Sequence, residues 1–175
     1  MRCSVALLAA GLALPAAAAE PPFGFGRAAT PQEIAGADID IHPDGTGLPP
    51  GSGSVEQGAA LYAATCAACH GEHGDKPISP SLLLKGGAGT LATPEAVQTV
   101  GSYWPYATTL FDYIRRAMPF AAPRSLSDDQ VYAVTAYLLR LNGIVPDGTV
   151  LDAASLPAIR MPNRDGFTSV YGTGH

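Results

Sequence analysis

Cys66, Cys69 and His70 stand together in the run YAATCAACHGEHGD, close enough to act from one helical turn. Two thiols in C-x-x-C spacing with a histidine directly after them form the attachment pattern of a c-type haem. Each thiol adds to a haem vinyl group as a thioether, and the next residue offers its imidazole to the iron. The spacing is mechanical: two thioethers fix one porphyrin edge against the turn and leave His70 beneath the metal. A structural zinc site needs four Cys or His ligands, and the chain has no second C-x-x-C and no H-x-x-x-H. A thioredoxin-like pair needs a surrounding βαβ pattern, which is absent. A plain disulfide or thiol pair is the remaining alternative. The reading is one covalent haem c, held through Cys66 and Cys69.

Iron bound by one imidazole leaves its sixth position to be explained, and that choice separates electron transfer from ligand chemistry. Met118 in IRRAMPFAAP and Met161 in AIRMPNRDG are each followed by proline, so the dipeptide does not discriminate. Position does. Met118 ends the helical run ATTLFDYIRRA, where Pro119 stops the helix and turns the thioether out into an extended loop. It also lies between the two strongest helices, where a chain wrapped around a haem must cross its far face. The metal ligands are therefore read as His70 and Met118. His42, His73, His175, Met161 or an open site remain as alternatives, His73 being too near His70 in sequence to reach the opposite face.

Helices are legible on both sides of these ligands. SVEQGAALYAATCAACH opens with Ser54 and Gln57 in capping-box spacing and places Cys66 on its final turns. LSDDQVYAVTAYLLRLNG repeats the device with Ser127 and Gln130, adds a Leu126–Val131 staple and ends at Asn142–Gly143. Val131, Val134, Leu138 and Leu141 follow helical spacing and mark its buried stripe. TPEAVQTVG, with Thr93 as cap and Pro94 at the first position, predicts a short helix. No alternating strand pattern of useful length is present, so the fold class is all-α, with short helices and long connections.

The opening MRCSVALLAAGLALPAAAAE has a basic residue, an apolar run too short to span a bilayer, and small residues before Glu20. It reads as a signal peptide over 1–19, which predicts a periplasmic (exported) protein, without Cys3 and with no membrane span in the mature chain. Residues 20–53 form an extended N-terminal arm whose Phe23, Phe25, Ile34, Ile39 and Ile41 suit docking, on the chain itself or on a partner. A domain over 54–143 and a C-terminal tail over 144–175 follow. Tyr103 and Trp104 could donate hydrogen bonds to haem propionates, and Arg115 or Arg116 could neutralise them. Ten basic residues face fifteen acidic ones, a formal charge of −5 that becomes one unit more negative when Arg2 leaves with the leader. That balance disfavours nucleic acid. It suits a partner with a basic patch and an association that weakens with salt.

Residues 54–143 resemble the class I cytochromes c. The resemblance implies that the first and last helices of that domain cross, with Gly58 allowing close approach and Tyr62 and Tyr137 packing at the crossing. It also implies that a proline carbonyl, Pro80 in SPSL or less readily Pro77, accepts the Nδ1 proton of His70. GSYWPYATTLFDYIRRAMPF, LPAIRMPNRDGF, FGFGRAATPQEI and DIDIHPDGTGLPPGSGS extend a similarity to the cytochrome subunits of molybdenum-containing sulfite and sulfane dehydrogenases over nearly the whole mature chain. The sulfane-dehydrogenase subunit commonly carries two haem domains, whereas this chain has one C-x-x-C-H. The similarity therefore implies a single-haem partner of a molybdenum-containing sulfite dehydrogenase, passing electrons to a downstream cytochrome or terminal oxidase. A sulfane-dehydrogenase subunit and a general periplasmic carrier are the alternatives. No Ser/His/Asp arrangement, phosphate loop or carboxylate pair offers chemistry of its own, so an electron-transfer protein is expected and not an enzyme.

Overall fold

A computed structural model of the protein describes residues 25–168 and 170. The expected leader, Cys3 and His175 lie outside the described residues. The chain divides into two units, Met1–Asp38 and Ile39–His175.

The described part of the first unit holds one short helix, α1 (Pro31–Ala37), with no buried residue. Thr30 and Glu33 close a capping box at its start. Arg27 pairs with Glu33, whose carboxyl is held down at about 2 by that guanidinium and by the Thr30 backbone and hydroxyl.

The second unit is helical, with one small sheet. It runs β1 (Ser52–Ser54), α2 (Val55–Thr65), α3 (Ala67–His70), a 3-10 turn at Pro80–Leu82, α4 (Ala107–Ala117), α5 (Asp128–Leu141), β2 (Val150–Asp152) and a 3-10 turn at Leu156–Ala158. Both expected capping boxes form: Ser54 with Gln57 starts α2, and Ser127 with Gln130 starts α5. Each satisfies two amides that a helix start leaves free. α4 ends at Ala117, immediately before Met118 and Pro119, and α5 ends at Asn142 with Gly143 at φ 69°.

The centre of the unit is the crossing of α2 with α5. A Cβ built on Gly58 would collide with the Ala133 carbonyl and stand 2.8 Å from the Tyr137 Cβ, so only glycine lets the two backbones meet. Tyr62 and Tyr137 pack there with ring centroids 5.2 Å apart. Gly53, on β1, meets the same Ala133 backbone. α5 is consequently buried on more than its expected stripe: Tyr132, Ala133, Thr135, Ala136 and Leu139 join Val131, Val134 and Leu138 in the interior.

Two elements differ from the sequence reading. Residues 93–101 form turns and not a helix. The Thr93 hydroxyl donates to the Thr90 carbonyl (2.8 Å) and accepts from Glu95 N–H, while Val97 N–H goes to the Thr90 hydroxyl (2.9 Å) and Thr99 N–H to that of Ser102 (2.9 Å). Side-chain hydroxyls take the amides that a helix would have used. The second difference is the antiparallel pairing of β1 with β2, Gly53 opposite Leu151, from segments too short to show alternation.

From Ile39 onward the arm packs on its own unit. Pro43 and Pro49 carbonyls accept from the hydroxyls of Thr108 and Tyr132, and Ser52 N–H donates to Asp129. The tail does the same, with Leu151, Leu156 and Met161 almost fully buried.

Gly58→Ala should lower the unfolding free energy by about 1–3 kcal/mol or more, the range for forcing a methyl into a packed contact. Gly36→Ala, where an added Cβ meets nothing within 4 Å, should cost little. Denaturant titration of the two variants checks the difference.

Candidate functional site

α2 ends at Cys66, whose N–H still donates to Tyr62 O (2.8 Å) and whose own carbonyl accepts from Cys69 N (3.1 Å) and His70 N (3.0 Å). Cys66 is thus the C-cap of α2 and the N-cap of the single turn α3. No disulfide joins the two cysteines, Cys66 being half-buried and Cys69 exposed. Burial pushes the Cys66 thiol above its ordinary pKa.

The loop after α3 is tied down at several points. Tyr62 Oη donates to Gly71 O (2.8 Å), and burial raises that phenol's pKa well above its ordinary value. Gly71 needs its φ of 79°, and a Cβ there would strike the Lys76 carbonyl. Ile78 N–H returns to Cys69 O (3.0 Å), while Leu84 and Lys85 N–H both reach Gly74 O. Asn142, at the end of α5, then holds the far side: its Nδ2 donates to Leu84 O (3.1 Å) and Leu138 O (2.9 Å), and its Oδ1 accepts from Gly86 N (3.2 Å).

This bracing aims one carbonyl. His70 Nδ1 lies 2.7 Å from Leu82 O. A carbonyl can only accept, so Nδ1 carries the proton and Nε2 keeps its lone pair for a metal. The acceptor expected from the family was Pro80, with Pro77 second. The structure gives the role to Leu82, because Pro80 opens the 3-10 turn and its own carbonyl accepts from Leu83 N (3.3 Å). Pro80 starts the turn that presents the acceptor two residues later.

His70 and Met118, the C-cap of α4, meet at one cleft. Both side chains line one open cavity of about 250 Å3, together with Cys66, Cys69, Tyr62, Leu82–Leu84, Val100, Trp104, Leu110, Ile114, Val134 and Leu138. No Asp, Glu, Lys or Arg is among the lining residues. Among the described residues no group of three or more His, Cys, Asp or Glu could hold a metal ion, so bare zinc does not suit the site. Two thiols on one turn, an imidazole with a fixed tautomer and a thioether facing into the same apolar cleft do suit a haem.

The other predicted residues separate. Trp104 lines the cleft, edge-on to Tyr113 at 5.5 Å. Tyr103 does not line it. It is partly exposed and packs edge-on against Phe167, and its carbonyl accepts from Asn163. Arg115 and Arg116 are also absent from the lining, since Arg115 is bound to Asp128 (3.0 Å) and Arg116 to Asp112 (2.7 Å) and Asp40 (2.6 Å). Of the alternative ligands, His42 and His73 are exposed and Met161 is buried, none of them lining the cleft.

Tyr113, Gln98 and Thr99 line the cleft and were not singled out in the sequence. Tyr113 had a signal, because Leu110, Tyr113 and Ile114 share one face of α4. Gln98 and Thr99 had none, since their segment read as a helix. Thr99 is 2% exposed, and its hydroxyl is bonded to Gly86 O (2.5 Å).

Comparison with known proteins adds the following. Residues 53–138 match the family described as cytochrome C oxidase, cbb3-type, subunit III. No curated protein matches the chain at a significant level. Among solved structures, a chain of the sulfane dehydrogenase SoxCD from Paracoccus pantotrophus is 46% identical, with a TM-score of 0.77. The match covers 83% of this chain and 71% of that one.

Proposed function

The chain belongs to the cytochrome c family, with the class I fold, and from that premise we propose that it is an exported single-haem carrier. In this reading it takes electrons one at a time from a molybdenum-dependent sulfite dehydrogenase and passes them to a downstream cytochrome or terminal oxidase. The observation that carries the reading is the apolar cleft that Cys66, Cys69 and His70 line together with Met118, about fifty residues away in sequence. The leader pattern at residues 1–19 supports export to the periplasm. Among the described residues no helix is long and apolar enough to cross a membrane.

A bound haem c supplies a reversible one-electron iron couple. The chain's own residues do the rest. Cys66 and Cys69 would hold the ring through thioethers on one turn, and the half-burial of Cys66 keeps that attachment away from bulk water. The Leu82 carbonyl keeps the Nδ1 proton of His70 in place, which fixes the ring plane and strengthens donation from Nε2. Met118 would fill the sixth position, leaving no open site for an exogenous ligand. Trp104, which lines the cleft, would donate its indole N–H to a propionate. The walls from α4 and α5 exclude water and so favour the less charged, reduced state of the iron.

The single C-x-x-C-H run favours a sulfite dehydrogenase as donor. A second reading, the cytochrome subunit of a sulfane dehydrogenase, is favoured by the 46% identity to a SoxCD chain. Stopped-flow mixing separates them. Sulfite and its dehydrogenase from the same organism should reduce the protein rapidly, one electron per haem, and the protein alone should not oxidise sulfite. Reduction by a sulfane dehydrogenase and not by the sulfite enzyme moves the chain to the second reading. Equal rates with an unrelated reductase would leave only a general carrier.

Two expectations concern the site itself. Haem should stay with the polypeptide through denaturation and acid–acetone extraction, and its release into the organic phase would exclude thioethers at Cys66 and Cys69. Met118→Ala should abolish the sulfur-to-iron charge-transfer band of the ferric protein and lower the reduction potential, because a thioether ligand raises it. The same loss in Met161→Ala, with Met118→Ala unaffected, would reassign the sixth ligand.

A further inference from the structure

Met118 leaves α4 into a loop over residues 118–127 that re-enters the fold at α5, and little within the loop holds it. Its hydrogen bonds are local: Met118 N–H donates to Ile114 O (3.0 Å), Ala122 N–H to Pro119 O (2.9 Å) and Ser125 N–H to Ala122 O (3.3 Å). Met118 and Leu126 pack on the core at its two ends, while residues 120–125 between them are exposed. A contact outside the loop closes it. Arg115, three residues before Met118, donates from Nε to Oδ1 of Asp128 (3.0 Å), the first residue of α5. One turn back along α4 and one turn forward along α5, Phe111 and Tyr132 pack with ring centroids 4.4 Å apart, both fully buried. The two helices therefore run antiparallel where they meet, and the ion pair closes the end of their interface from which the loop departs.

Both members of that pair stand on firm structure. Asp128 follows directly on Ser127 of the capping box, and a carboxylate suits the first turn of a helix. The side chains of Arg115 and Asp128 are 22% and 37% exposed, against 43% and 75% for Arg140 and Asp147 at the other end of α5. Arg116 turns to Asp112 on its own helix and to Asp40 in the arm, so it does not span the loop. We propose that Arg115 and Asp128 are positioning residues for the sixth ligand: their ion pair ties the two ends of the 118–127 loop together, so that the Met118 thioether leaves the cleft only as the pair opens. The proposal rests on the reading of Met118 as that ligand, and it gives Arg115 a role other than neutralising a propionate. A loop fastened at both ends loses less freedom when its methionine binds than one fastened at a single end, so the fastening favours the bound state.

Imidazole binding to the ferric holoprotein tests this without any redox partner. At high imidazole the observed rate reaches a ceiling set by release of Met118, and stopped-flow absorbance at the sulfur-to-iron band follows it. Arg115→Gln and Asp128→Asn should each raise that ceiling by about threefold to fivefold, the effect of one partly shielded ion pair that is present before release and lost in it. The double variant should stay within about twofold of either single one, because the two groups act as one contact. Arg115→Lys keeps the charge and should restore most of the wild-type ceiling. Arg140→Gln breaks an ion pair of the same kind away from the loop and should leave the ceiling unchanged. A pair with only a structural role would lower the denaturation midpoint and leave the ceiling where it is. That result would overturn the proposal, as would single effects that multiply in the double variant or an equal rise in Arg140→Gln. A wild-type rate that grows with imidazole without any ceiling would reject Met118 as the ligand, and the proposal with it.

Discussion

The contact between Gly58 and Ala133 is the constraint on which the rest of the second unit depends. With no Cβ at Gly58, α2 meets the backbone of α5, and Tyr62 and Tyr137 close the crossing at 5.2 Å. The crossing fixes where the C-terminal end of α2 lies against α5. Cys66 caps it and starts the one turn that holds Cys69 and His70, so the position of all three follows from how deeply two helices interpenetrate. Gly53 meets the same alanine from β1, which carries the constraint into the sheet and through β2 into the tail.

The far end of α5 sets the orientation of His70, by a different kind of bond. Asn142 reaches back 58 and 56 residues to Leu84 and Gly86, and Tyr62 anchors Gly71 at the other end of the same loop. Between these anchors the Pro80 turn has little freedom, and the Leu82 carbonyl arrives 2.7 Å from Nδ1. The crossing places the imidazole and the loop fixes its tautomer. Neither suffices alone, since a histidine free to change tautomer would offer its lone pair to the cleft only part of the time.

Features written in local residue types were legible in the sequence. The two capping boxes, the end of α4 before Met118–Pro119, and the Asn142–Gly143 stop on α5 each depend on neighbours within a few positions, and each formed where it was read. What depended on distant partners was not legible. The segment at 93–101 has a helix-start pattern, but its amides are taken by the hydroxyls of Thr90, Thr93 and Ser102. Pro80 was named for a bond that Leu82 makes, because the direction of a carbonyl depends on the turn and not on the residue type. Arg115 and Arg116 sat in a plausible place for neutralising an anion, and only the fold shows that Asp128, Asp112 and Asp40 already occupy them. Met161 stood as an alternative sixth ligand, and its place in the core, 1% exposed and away from the cleft lining, follows from the packing of the tail.

That pairing of charges bears on how the site works. A cation left unpaired beside the cleft would favour the reduced iron and would also draw anionic partners of any shape. Here the guanidiniums at the end of α4 are each committed to a carboxylate of the same chain. Phe120, which lines the cleft and is 87% exposed, is followed by the exposed Arg124, so the nearest solvent-facing cation lies beyond the cleft and not in it. Discrimination at the cleft therefore does not draw on these two arginines, whose charge is already matched within the chain.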